Sequence, residues 1–165
     1  MDIAETLLTV AQVAMGLAGF SSVLVALSGE PSKWSSVDSF RISGMLSASL
    51  AALFLALAPF LLHFFGVDTA LVWRWSSGLV AGFLFLRVAW TVRIYHRLPR
   101  TDQIVLGTVL IATIQTILCL LALTEAGAAV GLIGPPEGVY LLGVVSLLGW
   151  ATFLIVRFLF ARPAV

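Results

Sequence analysis

Between Arg41 and Asp68 the chain reads ISGMLSASLAALFLALAPFLLHFFGV, residues 42–67, without one charged side chain. A helix that crosses the ~30 Å hydrocarbon core of a bilayer needs about 20 mostly apolar residues. This stretch supplies them. From Leu50 to Phe65 it is apolar on every side. A strand of a membrane barrel alternates polar and apolar faces, so the run is a helix.

Four more gaps between charges have the required length. They are 6–29, 75–92 (interrupted by Arg87), 103–124 and 138–156. The pattern predicts an all-α, polytopic membrane protein, a bundle of five transmembrane helices over about 4–28, 39–66, 71–96, 102–125 and 138–161. Short loops rich in Gly, Pro and Ser join them, and the chain forms a single membrane domain. The N-terminus, Met1-Asp2 with Glu5, lacks the positive start of a signal peptide, so the first span is expected to stay.

Composition agrees and excludes much else. The chain has 165 residues, 61% hydrophobic and 10% charged, with mean hydropathy +1.11. A soluble domain carries about 25% charged residues. A soluble enzyme, a disordered tail and a nucleic-acid-binding domain are excluded. The net charge of +1 gives no field for DNA or RNA. Cys119 is the one cysteine, which excludes an intrachain disulfide and a multi-cysteine metal site; no metal site is expected.

Orientation follows from Lys and Arg, which collect on the inner side. With five spans and the N-terminus outside, Lys33, Arg41, Arg87, Arg93, Arg97, Arg100, Arg157 and Arg162 lie inside and Arg74 alone outside. Four spans with the N-terminus inside is the alternative if the third stretch does not cross. The aromatic belt supports five spans: Trp73, Trp75 and Tyr140 mark the outer interface, and Trp34 and Tyr95 the inner one. The short loops and charge bias point to a bacterial inner membrane.

Helices in lipid associate through close backbone approach. Small residues at four-residue spacing allow it: Ala14, Ala18, Ser22 and Ala26 in the first span, Gly44, Ala48, Ala52 and Ala56 in the second, Gly78 and Gly82 in the third. These are the expected packing stripes. Pro59 removes a hydrogen bond within the second span, and a kink is expected there.

Polar groups inside lipid are costly and are candidates for function. Glu5, Thr9, Gln12, Gly16 and Gly19 form a seam on the first span. Thr108, Ala112, Gln115, Cys119 and Ala122 form one on the fourth, with Glu125 at its end. The seams are packing glue or a polar path whose mouth holds Glu5 and Glu125. Arg87 lies about 9 Å deeper than Arg93 at ~1.5 Å per residue. It either snorkels back to the interface or holds an anion. Asp38 and Arg41 share a helix face as a local ion pair, with Ser36, Asp38 or Ser39 as the helix cap. Asp38, Arg41, Arg87 and Arg93 are also the candidate contacts to a lipid head, an anion or a partner. His63 is the candidate ligand of a pigment or haem, although no cofactor is expected.

No set of residues resembles a catalytic constellation, so the chain is expected not to be an enzyme. The first expectation is a structural or accessory subunit that packs on lipid and on other transmembrane helices, in a homo-oligomer or a larger complex. The alternative is a small homo-oligomeric channel or transporter lined by the first and fourth spans. A pigment- or haem-binding subunit is the third reading.

Overall fold

The computed structural model describes residues 2–27 and 34–160, with backbone alone at Val105 and Leu106. Lys33 and Arg162, used above for orientation, lie outside the described residues. The elements are α1 (Ile3–Leu27), α2 (Ser36–Phe64), α3 (Thr69–Tyr95), α4 (Arg100–Leu106), α5 (Thr108–Ala129) and α6 (Pro136–Phe160). All are helices. All but α4 are long and apolar enough to cross a membrane.

The third helix, interrupted in sequence by Arg87, is 27 residues long. At ~1.5 Å per residue that is about 40 Å, enough to cross. The fourth stretch differs from the expected 102–125. It breaks at Gly107, which takes φ +78°, a left-handed conformation that only glycine adopts without strain. Short α4 precedes the break, and α5 runs on to Ala129. Glu125 is therefore one turn inside the helix, not at its end. Gln103 staples this corner by donating to the carbonyls of Tyr95 at 3.0 Å and Leu98 at 2.9 Å. α2 continues through Pro59.

The cap of α2 differs from expectation as well. Ser35 is the N-cap. Its hydroxyl accepts from the Asp38 N–H at 3.1 Å and donates to Asp38 Oδ2 at 2.8 Å, and Oδ2 accepts from the Ser35 N–H at 3.3 Å. This is a reciprocal capping box. Ser35→Ala is expected to cost about 1 kcal/mol, seen as faster amide exchange in the first turn of α2.

The chain divides into two compact units. Unit 1 comprises residues 1–57 and 144–165. In its core, Ile42 and Met45 of α2 pack with Leu154, Ile155 and Phe158 of α6, and Leu17 and Leu24 of α1 pack against them. The second small-residue stripe (Gly44, Ala48, Ala52, Ala56) is buried throughout. Of the first stripe, Ala14 is buried and Ala18 half-buried, while Ser22 and Ala26 are exposed.

Unit 2 comprises residues 58–143. Here α3 packs along α5. The two run antiparallel. At one end the Tyr95 hydroxyl bonds Thr108 Oγ1 at 2.7 Å. At the other, a Cβ on Gly78 would sit 3.8 Å from Ala129 Cβ, so the third stripe makes its close approach at Gly78. Gly82 is exposed with open space beside it.

Candidate functional site

Unit 2 buries an acid. Glu125 on α5 is 0% exposed, and neither carboxylate oxygen has a partner at bonding geometry. The Ser77 hydroxyl of α3 and the Gly143 backbone N–H of α6 face it without closing a hydrogen bond. Ser76 and Ser77 are also fully buried with unbonded hydroxyls. Tyr140 is fully buried on α6. It lies close enough to Glu125 for the two charges to interact. Three helices thus converge on one carboxyl group with hydroxyls around it.

Local sequence explains the convergence. Ala122, Glu125 and Ala128 recur every three residues and form the buried edge of α5. Ser77 faces it from α3, where Ser76 and Val80 are also buried. Gly143 lets α6 close on both. A Cβ there would collide with Glu125 Oε1 and lie 2.9 Å from Val80 Cγ1. Glycine inside a helix costs ~1 kcal/mol relative to alanine, and this contact is the reason it is present.

Unit 2 also carries an open groove of about 760 Å³, with Asp68, Trp73, Arg74, Ala128 and Glu137 in its wall. The Trp73 and Tyr140 rings make a tilted contact, centroids 5.9 Å apart. Ala128, in the wall of the groove, is one turn from Glu125 on α5. Two acids against one Arg make this groove net negative. Arg74 is held aside: it donates to the Val130 carbonyl at 2.9 Å, capping the end of α5, and lies across Gly131. Asp68 caps α3 by accepting from the Ala70 N–H at 2.9 Å.

Deeper along the α3–α5 pair are further unbonded polar atoms. Arg87 Nε and Gln115 Oε1 are enclosed and without partners. Counting from the Tyr95–Thr108 bond, Arg87 is about 12 Å along α3 and Gln115 about 10 Å along α5. They stand at one level. Ser77 and Glu125 stand about 15 Å further on. Buried Thr91 lies between Arg87 and Tyr95.

The residues singled out in sequence are distributed as follows. Of the polar path, Thr108, Gln115 and Glu125 sit on α5, and the polar groups gathered with them come from α3. Glu5, Thr9 and Gln12 are exposed on α1, and the Thr9 hydroxyl donates to the Glu5 carbonyl at 2.9 Å. Arg93 and His63 are exposed. Arg41 is buried with Nε unbonded, and Asp38 is engaged by Ser35. Ser76, Ser77 and Gly143 were not singled out. The signal available was the spacing of Tyr140 and Gly143, a small residue one turn beyond a polar aromatic. Among the described residues no group of three His, Cys, Asp or Glu is placed to hold a metal ion. No family model, curated protein or solved structure matches this chain.

Proposed function

We propose that the chain is a non-enzymatic integral membrane protein that takes up a proton or a small cation at Glu125, as a small channel or transporter. One observation carries this reading: a carboxyl group fully buried and unbonded between three apolar helices. Burying an ionisable group without a partner is expensive, and such a group within a membrane helix marks an ion or proton pathway. The negative mouth formed by Asp68 and Glu137 raises the local concentration of cations. Arg87 and Gln115 continue the polar line along α3 and α5. The Lys and Arg distribution supports insertion in a bacterial inner membrane with the N-terminus outside and the C-terminus inside.

A second reading is favoured by a different observation. The α1 seam is exposed, with open space at Gly16 and Gly19. It offers a second copy or another transmembrane helix a surface for close backbone approach, as in a homo-oligomer or an accessory subunit.

Flux tests the first reading. Purified protein in liposomes loaded with a pH-sensitive or cation-sensitive dye is expected to collapse an imposed gradient faster than empty liposomes. Equal rates for protons, sodium and potassium with and without protein would reject conduction and leave the packing role.

A further inference from the structure

An ionised carboxylate only accepts hydrogen bonds, and its two oxygens offer about four sites to donors. Around Glu125 donors are scarce. The Gly143 N–H that faces it lies inside α6, where each N–H already serves the carbonyl four residues back. That leaves the Ser77 hydroxyl of α3, which is itself unbonded. Space is scarce too. Neither carboxylate oxygen nor the Ser77 hydroxyl leaves a water molecule room beside it. Gly143 packs so closely on Oε1 that a Cβ has no place there.

A metal cation is poorly served by this arrangement. Potassium is as bulky as a water molecule. Sodium is smaller, but a hard cation takes about six oxygen ligands. The side-chain oxygens brought together here are the two of the carboxyl and that of Ser77, and helix carbonyls are committed to their own ladder. A proton needs neither room nor a ligand shell. It turns one acceptor oxygen into a donor, and Ser77 Oγ has lone pairs to receive it.

Resting on the ion uptake at Glu125 argued above, we infer that this ion is the proton, carried as a neutral carboxylic acid whose O–H donates to Ser77 Oγ. No other bond changes: the carboxylate takes the proton, becomes neutral, and is a carboxylate again when the proton leaves. The other ionisable groups leave this role to Glu125. Tyr140 of α6 is near enough for its charge to oppose that of Glu125, and it is a far weaker acid. On α3, Arg74 is turned to the Val130 carbonyl, and Arg87 is about 15 Å along the helix from Ser77. α5 holds no other Asp, Glu, His, Lys or Arg.

The test uses the full chain in liposomes. Proton, sodium and potassium movement are read with separate dyes, in sodium buffer and in choline buffer. Proton movement is expected above that of empty liposomes and equal in the two buffers, with sodium and potassium at the empty-liposome rate. The infrared carbonyl band of a protonated acid is expected to grow as pH falls, equally in both buffers. It should be lost in Glu125→Gln and shifted in Ser77→Ala, where the O–H loses its acceptor. The comparison of ions needs no variant, so it decides even where a substitution does not fold. Sodium or potassium movement above the empty-liposome rate, or a band that sodium suppresses, overturns the inference and leaves ion uptake at Glu125 standing. An unshifted band in Ser77→Ala overturns the role of Ser77. Movement of none of the three ions overturns the uptake reading, and the inference with it.

Discussion

Glu125→Gln is expected to abolish flux and leave the fold intact. Glutamine has nearly the same shape, so Ser77, Val80 and Gly143 keep their neighbours. It cannot exchange a proton or carry the charge that a cation needs. α5 holds no other Asp, Glu, His, Lys or Arg, so no second carboxyl or base on that helix substitutes. Loss of a proton-transferring group costs about 10²–10⁴ in rate where it has been measured, and a fall of at least about a hundredfold is expected here. Stability should move the other way. The amide gains an N–H donor for the unbonded Ser77 hydroxyl and removes a buried carboxyl without a partner. A gain of roughly 1–3 kcal/mol is expected, read as a higher melting temperature in detergent. A carboxyl kept only for packing would give the opposite pair of results: stability lost, flux unchanged.

The second large effect belongs to Gly143. In Gly143→Ala the new Cβ meets Glu125 Oε1, Glu125 Cδ at 3.0 Å and Val80 Cγ1 at 2.9 Å. The carboxyl is the end of a flexible chain and can swing away. The branched Val80 side chain is stiff and must shift with its helix. Overpacking of this kind costs typically 1–3 kcal/mol, against which the gain in helix propensity recovers ~1 kcal/mol. The expected result is a lower melting temperature together with reduced flux. Gly149→Ala is the control: Gly149 is exposed with nothing within 4 Å, so propensity alone acts and stability rises or holds. In a Glu125→Ala background the Gly143→Ala penalty should shrink, because one of its two collisions is gone. The coupling between the two positions is measured by a double-mutant cycle.

Reading these sites from sequence depends on what periodicity can carry. The uncharged run 42–67 sufficed for a helix, because backbone groups without water must bond within the segment. Charges at 30, 41, 68, 74, 102, 125 and 137 placed the helix ends within a few residues. Where the ends moved, a single backbone feature moved them. Gly107 split the fourth stretch, and the apolar residues from Ala126 to Ala129 extended it. That small extension turned Glu125 from a residue at a mouth into a buried acid.

Which helix faces which was not legible. The seams of the first and fourth spans share one spacing, and spacing alone does not name a neighbour. Arg87, Thr91 and Tyr95 are spaced four apart, but that spacing does not mark them as partners of Gln115 and Thr108. Only the antiparallel seating of α3 on α5 puts them level. Likewise Asp38 and Arg41 are three apart and read as an ion pair; Asp38 does act on the Arg41 charge, but its bonds to Ser35 were not foreseen.

The sequence by itself determined that the chain is helical, how many helices are long and apolar enough for a membrane, and nearly where each begins and ends. These are local properties, fixed by hydropathy, glycine and proline within a few turns. The tertiary structure alone decided that Glu125 meets Ser77 and Gly143, and that Arg41 is buried with its Nε unbonded. Such meetings depend on the rotation and register of whole helices, and in an apolar chain those are set by the few places where a missing Cβ lets two backbones approach.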